Sequence, residues 1–168
     1  MLNLPKLVAV DTNVALDFAK GIDDVCDAIA TIRARLPEAE LVLPPTVMEE
    51  LAHAAERSPY ANVRAASIKI LRQHCALGFR LVSFVPLGFD HVGRIAERLR
   101  RCGLLPVENV HDSMVLAEAA AMGCALLTSS DGHLRAVDSV RLARELAKFD
   151  LIAPVIATPR EIVRRFFR

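Results

Sequence analysis

The sequence has no tryptophan, one tyrosine and seven phenylalanines. Stacking of bases on aromatic rings is therefore a poor basis for any nucleic-acid binding. Cysteine is equally sparse: Cys26, Cys75, Cys102 and Cys124 are scattered, without a CxxC pair or nearby histidines at ligand spacing. That pattern points to reduced, mostly buried thiols and away from a zinc site or a disulfide framework. No apolar run reaches the length of a membrane span, and the start lacks the charged-then-apolar build of a signal peptide. A soluble, cytoplasmic protein is the expectation. Charge of one sign is lacking too, with 21 Lys and Arg against 20 Asp and Glu, a net +1. There is no glycine-rich loop to cradle the phosphates of a nucleotide.

What is present is apolar: 53% of 168 residues, enough for one domain over 1–168 with a substantial core. Short β-branched runs alternate with longer helical patterns. Leu7 to Val10 is apolar on both alternating faces, the mark of a strand buried on both sides of a parallel sheet. Further strands are expected at Leu41–Leu43, Leu81–Val85, Ala125–Thr128 and, as an edge containing Pro154, Leu151–Val155. Between them lie helices at 12–20, 22–36, 46–56, 63–77, 89–102, 107–123 and about 134–148. Thr46 and Glu49 form a capping-box pattern for the third of these. The pattern gives Glu49 a structural task and leaves Glu50, about 100° further round, free. Thr158 and Pro159 open a last short helix. The fold class expected is a three-layer α/β/α sandwich around a mainly parallel sheet.

The chemistry lies in carboxylates. Asp11 and Asp131 each follow a buried strand, Asp112 opens an Ala-rich helix that feeds one, and Glu50 lies on a helix after another. Carboxyl ends of parallel strands share one edge, where open α/β sheets place ligand sites, so these four groups can meet. Gathering them raises their pKa values unless a cation compensates. An all-oxygen set implies a hard ion, Mg²⁺ or Mn²⁺, and such sites serve phosphoester chemistry.

The segments VDTNV, MEEL, HDSMVLAEAA and LLTSSDGHL, in this order and on these elements, resemble a PIN domain, the metal-dependent ribonuclease fold of VapC-type toxins. The resemblance spans about Val8 to Pro159. It implies a catalytic and metal-binding set of Asp11, Glu50, Asp112 and Asp131. Thr12, Asn13 and Ser129 match the polar residues that orient carboxylates or waters. It also implies a single-stranded RNA substrate, a toxin's antitoxin partner and pairing into a homodimer. The segment before Asp131 departs from the tight T-x-D form by one residue, Ser130, and the helix at 60–77 is longer than the compact toxins need.

Rival readings meet specific residues. A haloacid-dehalogenase-type phosphotransferase needs a second Asp where Asn13 stands, and a receiver-like phosphoacceptor needs a late Lys after a strand, whereas Lys148 is helical. The alternative from another class is a PIN-like module that binds RNA or protein without cutting, against which the complete acidic set argues. Asp17, Asp23, Asp24 and Glu108 read as capping or solvated residues, and Glu118 as lying off the acidic face. His111, His133 and Arg135 read as polar neighbours that could meet phosphate. The arginine clusters at 33–35, 98–101, 141–148 and 160–168 read as solvated helix faces.

Overall fold

Val8, Ala9 and Val10 are all buried although successive side chains point to opposite faces of a strand. Both faces of the sheet around them are therefore covered, as a parallel sheet demands. The computed structural model describes residues 6–82 and 89–166. The strands are β1 (Leu7–Val10), β2 (Glu40–Leu43), β3 (Phe79–Leu81), β4 (Leu126–Thr128) and β5 (Val155–Ala157). They form one parallel sheet in the order β3-β2-β1-β4-β5. The chain moves outward from β1 through β2 to β3, then returns to the other side of β1 for β4 and β5. The switch point thus lies between β1 and β4, where Val10 pairs with Thr128.

The helices follow the apolar spacing. They are α1 (Thr12–Lys20), α2 (Asp23–Arg35), α3 (Pro45–Arg57), α4 (Ala61–Gln73), α5 (Phe89–Arg101), α6 (Val110–Ala121), α7 (Gly132–Arg135), α8 (Ser139–Ala147) and α9 (Pro159–Phe166). Helix α1 packs on α4, α3 on α4 and α6, α5 on α6, and α2 on α9. The stripe Val92, Ile95, Ala96 and Leu99, at helical spacing on α5, is buried. Gly21 ends α1 in the left-handed conformation, φ 78°. At Thr158 the final helix carries a full capping box: the Thr158 amide donates to Glu161 Oε2 (2.8 Å) and the Glu161 amide to Thr158 Oγ1 (3.2 Å).

Three expectations change. The edge strand runs over 155–157 instead of 151–155. Pro154 offers no N–H, and pairing with β4 begins with the Val155 amide on the Ala125 carbonyl (3.0 Å). Leu151 is occupied instead in closing the turn after α8, its amide on the Leu146 carbonyl (3.2 Å). The third strand starts at Phe79, two residues early, and the expected stretch 83–85 lies outside the described residues.

The third change concerns Thr46 and Glu49. Helix α3 starts at Pro45 with Pro44 as its cap residue, so Thr46 lies inside the helix and forms no box with Glu49. Its amide and hydroxyl instead donate to the Glu118 carboxylate, at 3.1 Å to Oε2 and 2.8 Å to Oε1. Helix α6 is buried from Val115 to Ala120 on successive positions, so Glu118 has no solvated face to occupy. It is 2% exposed and closes the N-terminus of α3 from a neighbouring helix.

Burial pushes the Glu118 carboxyl up to about 7, with Glu49 and Glu50 adding to the rise and the Thr46 donors opposing it. The folded protein therefore holds a proton that the unfolded chain releases, and stability is lost as pH rises from about 4.5 to about 7. Glu118→Ala should cost about 1–3 kcal/mol by stranding the Thr46 donors. Glu118→Gln should gain on the wild type as pH rises through that window, measured by urea unfolding at pH 5 and pH 8. A Gln-minus-wild-type difference that is flat with pH would refute this account.

Candidate active site

The end of β1 delivers Asp11 to the switch point. Its amide extends the strand ladder onto the Thr128 carbonyl (3.0 Å), and the next residue of β4, Ser129, extends the ladder onto the Ala157 carbonyl (3.2 Å). Parallel pairing thus sets Asp11 beside Ser129, whose hydroxyl donates to Asp11 Oδ2 at 2.5 Å. The Thr12 amide donates to Oδ1 at 2.8 Å. Asp11 is the cap residue of α1 and also a buried carboxylate, 6% exposed. Burial raises its carboxyl from 3.8 to about 6; the Ser129 and Thr12 donors pull it down, and Glu50 and Asp112 push it up.

Glu50, in the second turn of α3, accepts a hydrogen bond from the Thr12 hydroxyl and lies 3.2 Å from His111 Nδ1. Asp112, in the first turn of α6, accepts from Asn109 Nδ2 at 2.7 Å. Partial burial raises its carboxyl, followed by the field of Asp131, with Glu50 also contributing. Asp131 caps α7, its Oδ1 accepting the amides of His133 (2.7 Å) and Leu134 (3.1 Å). Asn13 Oδ1 accepts the Ser130 amide at 3.2 Å, which ties the start of α1 to the segment after β4. The Asp131 amide donates to Ser129 Oγ at 3.0 Å, so a single hydroxyl links Asp131 to Asp11.

All four sequence-predicted carboxylates therefore line one cleft of about 710 Å³, with Thr12 and Asn13 on its wall and Ser129 buried behind Asp11. Glu49, His53 and His111 share that cleft. The set is oxygen-rich, and both Asp11 and Asp112 are raised chiefly by burial, with the fields of neighbouring carboxylates adding to the rise. By donor type it fits a hard divalent cation. Among the described residues, no three Asp, Glu, His or Cys side chains are gathered closely enough in this arrangement to hold a metal ion. Each carboxylate is turned toward a protein donor instead, most plainly Asp131 toward its own helix.

Asp23 and Asp24 lie in the first turn of α2 and do not cap it; the cap residue is Ile22, without a side-chain hydrogen bond. Asp17 pairs with Lys20 (3.3 Å) and Asp24 with Arg160 (2.7 Å), and neither lines this cleft. Sequence reasoning missed two residues. Asn109 stands at the cap position of α6, yet its side chain serves Asp112 rather than a helix amide. Glu118 was legible only as a lone acid within the apolar run VLAEAAAM, a signal of a buried and partnered carboxylate.

Comparison with known proteins identifies the fold and the family. A chain of the crystal structure of VapBC2 from Rickettsia felis bound to a DNA fragment from their promoter has the same fold. The two share 13% identity with a TM-score of 0.59, over 90% of this chain and 98% of that one. No curated protein matches the chain. The family model described as PIN domain matches residues 8–140, most of the chain and every acidic residue of the cleft. The chain belongs to the PIN domain family.

Proposed function

We propose that the protein is a single-domain, Mg²⁺- or Mn²⁺-dependent endoribonuclease that hydrolyses phosphodiester bonds of single-stranded RNA at this cleft. The observation that carries the reading is the convergence of Asp11, Glu50, Asp112 and Asp131, from four separate elements, on one cavity at the switch point of the sheet. Family membership supports it. The four carboxylates would hold the ion, which when bound supplies counter-charge to the phosphate and eases ionisation of the attacking water.

The chain's own residues have separate tasks. Asp11 is fixed by the Thr12 amide and the Ser129 hydroxyl, one donor on each oxygen, so it cannot swing toward solvent. Thr12 also donates to Glu50, and this shared residue sets the spacing of the two carboxylates. Asp112, oriented by Asn109 and raised above an ordinary Asp, is the group suited to take the proton from water as it attacks phosphorus in line. Asn13 braces the loop that carries Asp131. Burial of Asp11 at the floor of the cleft keeps its charge poorly screened.

The VapBC2 likeness supports a role as the toxin of a toxin–antitoxin pair with an antitoxin as partner; a cytoplasmic location and pairing with a second copy of the chain are further parts of this proposal, carried by the family resemblance alone. One observation favours the alternative, a PIN-like module that binds RNA or protein without cutting: the carboxylates are turned onto protein donors rather than gathered.

Cleavage of a labelled mixed-sequence RNA in EDTA, Mg²⁺ or Mn²⁺ separates the two readings. Metal-dependent cutting that falls on the order of 100-fold or more in both Asp11→Asn and Glu50→Gln is expected. No cutting by the folded wild type in either metal would overturn the nuclease reading. Ser129→Ala should retain the fold and lose about 10–100-fold in rate, as expected for a group that orients a ligand. In EDTA, Asp11→Asn should be more stable than the wild type by about 1–3 kcal/mol at pH 8 and no more stable at pH 3.5. The sign follows from a carboxyl raised from 3.8 to about 6: the wild type loses stability as pH rises through that interval, and Asn does not. Calorimetry at the two pH values checks it.

A further inference from the structure

The residue that interrupts the family pattern, Ser130, borders a second cleft of about 480 Å³. Its neighbour Asp131 and its hydrogen-bond partner Asn13 line the acidic cleft, so one residue separates the two cavities. The second cleft is formed by the ends of α1, α2, α7 and α9, and its charged groups are of two kinds. Each of its carboxylates is engaged: Asp17 by Lys20 (3.3 Å), Asp24 by Arg160 (2.7 Å), and Glu161 by the amide (2.8 Å) and hydroxyl (3.0 Å) of Thr158. The side chains of two of its cations, Arg135 and Arg164, are exposed and make no hydrogen bond or ion pair among the described residues, although the field of Arg135 helps lower the Glu161 carboxyl.

The other arginine clusters are partly engaged within the fold, and their exposed members Arg35 and Arg144 line neither cleft. Arg98 pairs with Glu145 (2.7 Å), Arg101 with Glu97 (3.0 Å), Arg100 with the Ser113 hydroxyl, and Arg141 donates to the Cys102 carbonyl (2.8 Å). A polyanion approaching four carboxylates is repelled by them, so the strand must be held by cations nearby. With so few aromatic residues, that holding falls to phosphate contacts. Guanidinium groups suit them, each presenting a fork of donors to phosphate oxygens.

We propose that this second cleft is a backbone-binding subsite for single-stranded RNA. Arg135 and Arg164 contact phosphates one side of the scissile bond, and the strand crosses the Ser130 ridge between the cavities. The proposal rests on the nuclease reading for the identity of the strand, while the arginines and the cavity stand independently of it.

The test is binding of a labelled single-stranded RNA oligonucleotide in EDTA over a salt series, beside steady-state cleavage of that RNA and of a dinucleotide. The variants are Arg135→Gln with Arg164→Gln, the same pair changed to Lys, and a control pair, Arg72→Gln with Arg101→Gln, which lines neither cleft. The Gln pair should bind at least ~10-fold more weakly, and its plot of log affinity against log salt should be shallower by about 1.4, near 0.7 per lost phosphate contact. KM for the long RNA should rise while dinucleotide turnover stays at the wild-type level, and the Lys pair should restore the slope.

Wild-type binding and slope in the Gln pair, or an equal loss in the control pair, would overturn the subsite. If the wild type still cut RNA in that case, the nuclease reading would survive alone. RNA binding that depends on the two arginines in a protein that cuts nothing would sustain the subsite and remove the nuclease. Tighter binding of a DNA strand of the same sequence would overturn RNA as its ligand.

Discussion

The pairing of β1 with β4 is the constraint on which the rest of the molecule depends. It is a non-consecutive parallel contact, made only after the chain has completed β2, β3 and the intervening helices. Its register, Val10 opposite Thr128, puts Asp11 and Ser129 side by side one step past the last paired residues. A slip by one position would turn Val8, Ala9 and Val10 onto the wrong faces and part the carboxylate from its hydroxyl donor. The apolar pattern of a four-residue strand therefore specifies both the core and the floor of the cleft. Fold and site have one cause here.

Around that floor the protein gathers carboxylates, with only the imidazoles of His111 beside Glu50 and His133 near Asp112 to set against them. Asp11 reaches about 6 and Glu118 about 7, both chiefly through burial, and the fields of neighbouring carboxylates add to each. Such an arrangement is unfavourable for folding above neutral pH, and the core must offset it. The two helices that carry Glu50 and Asp112 are joined where Glu118 of α6 accepts the amide and hydroxyl of Thr46 in α3. Charge is thus used twice, once in the cleft and once to hold its walls at a fixed separation.

Much of this was legible from residues. Asp11, Asp112 and Asp131 stand at strand and helix ends because the elements stop there, whereas Glu50 was chosen over Glu49 on a capping box that does not form, and both glutamates line the cleft. That the four groups can meet follows from parallel strands sharing their carboxyl edge, whereas the strand order that sets β1 beside β4 was not read from the sequence. What escaped was tertiary. Thr46 and Glu49 satisfy the local capping pattern, yet the competing acceptor, Glu118, comes from 72 residues away and is invisible to a local rule. Asn109 likewise looks like a cap by position and serves Asp112 by geometry. Pro154 was read correctly as an edge signal, but its effect was to start the strand after itself instead of sitting within it.

The burial of α6 at every position from Val115 to Ala120 has a further consequence. Ala117, Ala119 and Ala120 are packed against their surroundings with almost no exposure, so the helix has no free flank into which a larger side chain could expand. Asp112 and Glu118 are both rigid appendages of that rod. The cleft's spacing is therefore guarded by methyl groups that never approach a substrate, and variation in this chain is channelled elsewhere. The surface arginines and the Ser130 ridge are free to diverge and retune what is recognised, while the alanines behind the acids can change only at the expense of the whole arrangement.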